Sequence, residues 1–513
     1  MTATAVPVRS HAAPLVVAVD CSTTSAKAIV WDAAGARVAS AHAPLPLSTH
    51  QPGYGEQDPA DWWSATAEAI RAAVDGIDTD RVIAVSVTHQ RESFACLDES
   101  GAAVRPAMLW LDVRAREQVE RFGTNRVHAL TGKPANPTPA WYKLLWIAEH
   151  EPETLVRTHR IVDVHGYLVQ RMTGLWVTSI ASADPLGLVD LVTGDYSDEL
   201  LDAAGVRRDQ LCELVDPGTR ITTLTEDASA ELGLRVDTVV IAGAGDGQCA
   251  GLGAGVTEAG RAYLNLGTGL IAGIVSESYA PSAAYRALTG AVPGTFDFEL
   301  FIGAGTYMVT WFVDTFLEPP GVGGSTPGGL ELHWEQQAAM IAPGSDGLVV
   351  VPYWNGAMTP YWDARARGIM VGLTGAHGRA HIYRAILEGI AFELRLCVEH
   401  AEAGLDRPVS EFVTMGGGSR SPFWCQLLAD VLQRPIVLAG EDEATCLGAA
   451  MLAAAGAGIH DGIEAASAAM SALGRRFEPD ASAPAIFNGL YAGYRAVYPA
   501  LAPVFPTLGG VAA

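Results

Sequence analysis

The sequence predicts an α/β protein of two domains, and three observations carry that prediction. Strand-like and helix-like segments alternate along most of the chain. A strand, a turn of small residues and a second strand occur twice, in "AVDCSTTSAKAIVWD" (18–32) and again in "RAYLNLGTGLIAGIVSES" (261–278), which is an internal echo. The chain has 513 residues, enough for two or three domains at roughly 100–200 residues each.

Taken in order, "LVVAVD", "AKAIVWD" and "RVASAHAPL" read as three strands joined by short turns, a β-meander. "PADWWSATAEAIRAAVDGI" follows with helical periodicity and Asp58 or Pro59 at its start, and "VIAVSVTHQ" reads as another buried strand. "TVVIAGAGDGQCAGLGAGV" runs from an apolar strand into a glycine-rich segment, a natural end for the first domain near residue 255. After the second strand–turn–strand come a long helix in "RAHIYRAILEGIAFELRLCVEHAEAG" and a strand, glycine turn and helix in "EFVTMGGGSRSPFWCQLLADVL". "EPPGVGGSTPGG" (318–329) reads as a surface loop of the second domain.

Bulk properties exclude several classes. A net charge of -24 argues against a nucleic-acid partner, because phosphate backbones need clustered Lys and Arg. No apolar run approaches about 18 residues, so no membrane span is expected. "RSHAAPLVVAVD" is too short in its apolar run, stopped by Asp20, for a secretory signal, and residues 1–13 read as a disordered lead-in. The seven cysteines (Cys21, Cys96, Cys212, Cys249, Cys397, Cys425, Cys446) contain no C-x-x-C pair, which indicates neither a disulfide framework nor a zinc site and fits a reducing cytoplasm.

The chemistry concentrates at turns. Successive N–H groups in a tight turn form an anion-binding nest and hydroxyls add donors without bulk, so Ser22, Thr23, Thr24 and Ser25 suit a phosphate, with Lys27 as a nearby mobile charge. Asp20, at the strand's end, suits a Mg²⁺-bound water. The plainer alternative is a polar hairpin turn. No G-x-x-x-x-G-K-[ST] occurs, and "GTGLIA" (267–272) fits G-x-G-x-x-A but precedes β-type residues instead of a helix, so Gly267, Thr268 and Gly269 read as a second hairpin phosphate clamp. "GGGS" (416–419) joins bare backbone to a helix start, offering Gly417, Gly418 and Ser419 to a flat or charged ligand, or serving as a tight connection. In "GAGDG", Asp246 stands among glycines that let a substrate hydroxyl approach, as a general base requires; a helix-capping Asp is the alternative. "THQRES" (88–93) gathers Gln90, Arg91 and Glu92 at a strand end, a polar density suited to a polyhydroxylated ligand or to a solvated loop.

In this order the segments resemble the FGGY carbohydrate kinases, sugar and polyol kinases of the actin and Hsp70 ATPase-fold superfamily, over residues 15–500. "DCSTTSAK" resembles the family's first phosphate turn, "LNLGTG" the second, "MGGGSRSPFWCQLLADVL" the adenosine motif and "GAGDG" the catalytic aspartate segment. "TPAWYKLLWIAEHEPE" (138–153) and "YWNGAMTPYWDARARGIMVGLTGAHGRAHIYRAILEGIAFELR" resemble xylulokinase-type members, whereas "HQRE" (89–92) is closer to glycerol kinases and "GDG" with "CSTTSAKA" is similar to gluconokinases. Thr138 stands where glycerol kinases carry a substrate-contacting tyrosine.

The resemblance implies two duplicated ribonuclease H-like domains around a cleft that closes for reaction. These are a sugar-binding unit at 14–255, a nucleotide-binding unit at 256–460 and a helical segment at 461–513 packed on them. It implies ATP and Mg²⁺ as reactants, the first turn with Lys27 on the β- and γ-phosphates, Asp20 near the metal, and Asp246 taking the proton of the attacking hydroxyl. Arg91, Glu92, Gln90 and Gln248 would bind the sugar beside Asp246; Trp141 and Tyr142 would pack on its carbon skeleton or in the core. The expected substrate is a ketopentose such as D-xylulose, with glycerol, another short polyol or gluconate as alternatives. An actin- or Hsp70-like ATPase, or a non-catalytic sugar sensor, is the rival of another class. A homodimer is left open.

Overall fold

The computed structural model describes residues 13–317, 329–405 and 407–508. Strands β1 (Leu15–Cys21), β2 (Ser25–Asp32) and β3 (Arg37–Pro44) form the expected meander. β1 then pairs in parallel with β4 (Val82–His89), and the sheet is completed by β5 (Arg220–Thr223) and β6 (Val239–Gly245) in the order β5-β6-β4-β1-β2-β3. β1, β4 and β6 are nearly continuous apolar runs because both faces of the sheet are covered. On one face lies α1 (Pro59–Val74), which starts where the Asp58 side chain accepts from the Ala60 N–H and buries Trp62, Trp63 and Ile70. β6 runs directly into α2 (Asp246–Gly253).

The second sheet repeats the first strand for strand. β7 (Arg261–Leu266) and β8 (Leu270–Ser276) form the hairpin of the internal echo, and an added edge strand β9 (Arg286–Thr289) precedes β10 (Phe296–Ile302), which pairs antiparallel with β8 as β3 does with β2. The long predicted helix is α3 (Arg379–Glu402). β11 (Glu411–Met415), a tight turn at Gly417–Arg420 and α4 (Pro422–Leu432) follow as read from the sequence. β11 and β12 (Ile436–Ala439) are parallel, as β4 and β6 are. The order is β9-β10-β8-β7-β11-β12-β13. This is the duplicated ribonuclease H-like layout.

Within 461–513, read as a helical segment, helices Ile463–Met470 and Ala483–Leu501 flank the last strand, β13 (Leu473–Phe477), which joins the second sheet. Residues 473–476 are exposed, so the strand carries no apolar alternation to reveal it. Residues 318–328 of the stretch expected as a loop, and residues 1–12 of the lead-in, lie outside the described residues, while Gly329 opens a helix.

Between the sheets each half lends a helix to the other. α2 packs against Tyr263, Val275 and Met415 of the second sheet, while α5 (Ala444–Gly456) buries Leu447, Met451 and Leu452 against Val16, Ala18 and Ile241 of the first. The two helices cross in backbone contact. A Cβ on Gly253 would stand 1.8 Å from the Ala444 carbonyl oxygen, and one on Gly448 2.0 Å from that of Cys249, so only glycine fits either place.

Candidate active site

The parallel strands β1, β4 and β6 end level with one another: Cys21 and Gly245 are both in register with His89. Chemistry in open α/β sheets gathers at this carboxyl edge. Here it brings together Asp20, Arg91, Glu92 and Asp246. A register shift between Ile241 and Ala244 frees the Gly243 N–H to donate to His165 Nε2 (2.9 Å), and a Cβ there would meet the Val87 carbonyl oxygen at 1.8 Å. The bulge thus sets where the strand ends and Asp246 begins. Glu92 sits at φ +63°, a left-handed conformation that costs a non-glycine residue energy and that clusters at functional sites.

Arg91, Glu92 and Asp246 line a cavity of about 320 Å³ with Trp110, Asn136 and Thr138 from the first half and Thr268, Gly269, Ile271, Arg286, Phe301, Met358 and Trp362 from the second. Asp246 is its most accessible carboxylate; the Gly247 N–H donates to Oδ1 (2.7 Å), and the Arg91 Nε stands 2.7 Å from the same oxygen as an ion pair. Asp246 is thus also a helix-start carboxylate, the plainer reading of the sequence, without leaving the cavity. Arg91 continues to Glu299 Oε2 (2.7 Å), Glu299 Oε1 takes Arg286, and Arg286 reaches Glu92 Oε1 (2.6 Å), which also accepts from the Thr138 hydroxyl (2.9 Å). Burial works to raise the Glu299 carboxyl, but Arg286 and Arg91 hold it down at about 2. Arg91 is buried too, yet the surrounding carboxylates keep it charged, well above its ordinary value.

Two sugar-site expectations are corrected. Gln90 is buried behind the cavity, where its amide donates to Gln57 Oε1 (2.9 Å) and its oxygen accepts from the Thr23 and Ser93 hydroxyls (3.3 and 3.2 Å). It braces the first turn. Gln248 points into the packing, donating to the carbonyls of Ala181 (2.9 Å) and Thr289 (3.3 Å), because α2 turns its third residue away from the strand ends.

In the first turn the Ser22 hydroxyl donates to the Ser25 carbonyl (2.8 Å), closing its own hairpin, and Thr23 Oγ1 accepts from Trp110 Nε1 (2.9 Å). Thr24 alone is exposed. Lys27 is clasped by both oxygens of Glu443 at 2.8 Å, at the start of α5. Asp20 is half-buried, but its Oδ1 is enclosed without a hydrogen-bond partner. Its carboxyl is pushed up to about 7, first by burial, then by the charge of Asp246, with Lys27 opposing.

The second turn is held by the helix Thr306–Phe312: the Thr306 N–H and hydroxyl both donate to the Gly267 carbonyl (2.9 Å each), and the Gly305 N–H donates to that of Thr268 (3.0 Å). Thr268 and Gly269 line the first cavity. Thr306 also lines a second, of about 480 Å³, with Glu335, Tyr383, Leu387, Gly417, Gly418 and Arg420. The turn therefore stands between the two cavities. Ser419 is not among the residues lining this cavity, and its hydroxyl donates to the Gly416 carbonyl (2.7 Å) inside its own turn.

Trp141 and Tyr142 are 3% and 2% exposed in the core, away from the cavity. Sequence reasoning missed Arg286, Glu299, Trp110, Trp362 and Glu443. The available signal was "FDFELF", where two acidic residues interrupt an apolar strand and must be paired if buried.

A duplicated fold with a hairpin turn in each half, and one carboxylate facing the second turn across a cavity, defines an actin/Hsp70-like phosphotransferase architecture. The family models for the N-terminal and C-terminal domains of the FGGY family of carbohydrate kinases match residues 15–253 and 262–457, and the chain belongs to that family. It is 28% identical over 495 residues to a xylulose kinase of Bacillus subtilis, covering 94% of this chain and 96% of that one. It is 30% identical over 483 residues to a glycerol kinase of Alkalilimnicola ehrlichii, covering 90% and 94%. The fold matches a crystal structure of gluconate kinase from Lactobacillus acidophilus with a TM-score of 0.91 at 26% identity, covering 97% of this chain and 100% of that one. The protein is a sugar kinase of the ATP-using FGGY type, which decides against the ATPase and sensor rivals.

Proposed function

We infer that the sugar is neutral and larger than glycerol, most simply a ketopentose such as D-xylulose. The observation that carries this is the charge of the cavity: both arginines lining it are already paired, Arg91 with Asp246 and Glu299, Arg286 with Glu92 and Glu299. Among the described lining residues no cation is left over for a carboxylate substrate, so gluconate would enter against the two lining carboxylates, Glu92 and Asp246, with Glu299 buried behind them. Trp110 and Trp362 add apolar walls from opposite halves, suited to the C–H surface of a longer chain. The B. subtilis relative carries the name xylulose kinase, which supports the same choice.

In this reading Asp246 accepts the proton of the attacking hydroxyl, which Arg91 and Glu92 orient as donor and acceptor. The γ-phosphoryl lies at Thr268 and Gly269, the remaining phosphates at the first turn with Lys27 released from Glu443, and adenosine in the second cavity beside Gly417 and Gly418. Asp20 fits a Mg²⁺ ion: its enclosed, unpartnered Oδ1 is an oxygen ligand in want of a cation. No group of three His, Cys, Asp or Glu side chains among the described residues could hold a metal, so phosphates and water would complete the shell. The ion would supply neutralisation of phosphate charge. The sugar-binding and nucleotide-binding units are assigned to 14–255 and 256–460, with 461–513 packed on them. No helix among the described residues is long and apolar enough to cross a membrane, and all seven cysteines are free and buried, which supports a reducing, cytoplasmic setting.

The test is a coupled ADP-release panel of xylulose, ribulose, glycerol, erythritol and gluconate under identical conditions. A ketopentose is expected to lead. Faster turnover of glycerol than of every ketopentose, or activity on gluconate alone, would overturn the reading.

A further inference from the structure

Arg286 and Glu299 belong to none of the motifs, yet they complete the charge network of the site from the opposite half of the molecule. They are cross-strand partners on β9 and β10 of the second sheet, while Arg91, Glu92 and Asp246 lie at the strand ends of the first. Glu299 is fully buried and does not line the cavity; Arg286 does. Five groups alternate in sign across the cleft: Asp246, Arg91, Glu299, Arg286, Glu92. Burying so many charges is tolerable only when each is paired. Without Glu299 the two guanidinium groups would repel one another, and Arg91 is already felt at Arg286 as an opposing charge.

Resting on the reading of this cavity as the sugar site, we propose that Glu299 and Arg286 couple closure of the two halves to assembly of that site. Glu299 is a positioning residue: it fixes Arg91, and through it Asp246. Arg286 fixes Glu92, which is held in its strained backbone conformation, and presents the sugar with donors from the second half. The sugar is thus read from both sides of the cleft. An open molecule has Arg91 and Glu92 without their fixed orientation, and binds sugar weakly.

The experiment compares wild type, Glu299→Gln, Arg286→Gln and the double variant, using whichever sugar of the panel wild type turns over. Removing one partner of a buried, hydrogen-bonded charge pair has large effects, so Glu299→Gln is expected to lower kcat/KM for the sugar by about 30- to 1,000-fold. Arg286→Gln should raise the sugar KM by about tenfold. KM for ATP should stay within about twofold in both, and the double variant should lose less than the product of the single losses, because the unbalanced guanidinium is gone. Small-angle scattering without ligands should show both single variants more open than wild type, a readout that needs no substrate and so stands whatever the panel gives. Sugar parameters within about threefold of wild type together with unchanged scattering would overturn the proposal. So would equal losses for sugar and ATP with strictly multiplicative effects. If Glu299→Gln does not fold, Arg286→Gln, at the cavity wall, carries both readouts.

Discussion

Replacing Asp20 by asparagine is expected to make the free protein more stable while impairing the enzyme. The Asp20 carboxyl is raised from 3.8 to about 7, by burial first and then by Asp246 and Glu443 against the pull of Lys27. Between those two values the folded state keeps a proton that the unfolded chain has released, so stability falls as pH rises from 3.8 towards 7, and the whole penalty stands above pH 7. At about 1.4 kcal/mol per unit, a gap of about three units is worth about 4 kcal/mol. Asparagine keeps the shape and cannot ionise. With an unfolding entropy of about 2.1 cal/mol/K per residue, the gain corresponds to about 4 °C if the chain melts as one unit, and to about twice that if the first half melts alone.

The assay is thermal unfolding followed by circular dichroism from pH 4 to 8.5, in chelator so that no divalent cation binds Asp20 in wild type. The Asp20→Asn variant should melt higher at pH 8, and the difference should shrink to a small fraction of that at pH 4, where folded wild-type Asp20 is protonated and the unfolded chain is only about half ionised. In the presence of Mg²⁺, the variant should handle ATP at least about tenfold worse in kcat/KM, a trade of stability against function. A melting point at pH 8 equal to or below that of wild type, or a gain that does not depend on pH, would refute the reasoning.

Two further outcomes follow from the same site. Asp246→Asn should lower kcat by about 10²- to 10⁴-fold while calorimetric ATP binding changes little, and near-normal turnover would remove Asp246 from the role of base. Glu443→Gln should tighten KM for ATP by up to about fivefold, the worth of a half-exposed ion pair that no longer competes for Lys27, whereas Lys27→Ala should weaken it; an ATP KM unmoved by both would detach Lys27 from the phosphates.

The fold was legible because its signals are local. β1, β4 and β6 are nearly continuous apolar runs, α1 has a cap and a periodic face, and the two hairpins repeat the same chemistry. Asp246, Arg91 and Glu92 were legible for the same reason, each at a strand end. Gln90 and Gln248 were misjudged because sequence adjacency does not fix direction: one residue along a turn, or two along a helix, carries an amide from the cavity into the packing. Arg286, Glu299 and Glu443 were missed for a different reason. Their partners in the first half are 194, 208 and 416 residues away, so although "FDFELF" shows that an acid stands in an apolar strand, only the assembled sheets show why.

The placement of the acids also bears on how hydrolysis of ATP is restrained. Asp246, the proposed base, and Asp20 stand at strand ends of the first sheet, the turn at Thr268 belongs to the second, and α2 and α5 cross between them at glycines too tight for any side chain. A sugar-free cleft would leave Asp246 facing water beside the phosphate turn, the arrangement that wastes ATP. On the proposed reading, the Arg91 ion pair and the Gly247 N–H engage Asp246 Oδ1, so a proton donor must approach this carboxylate from a defined direction. A sugar hydroxyl held by Glu92 and the arginines would meet that demand by orientation, which a free water molecule lacks. On that reading, selectivity for sugar over water would be built into the same ion pairs that bridge the halves.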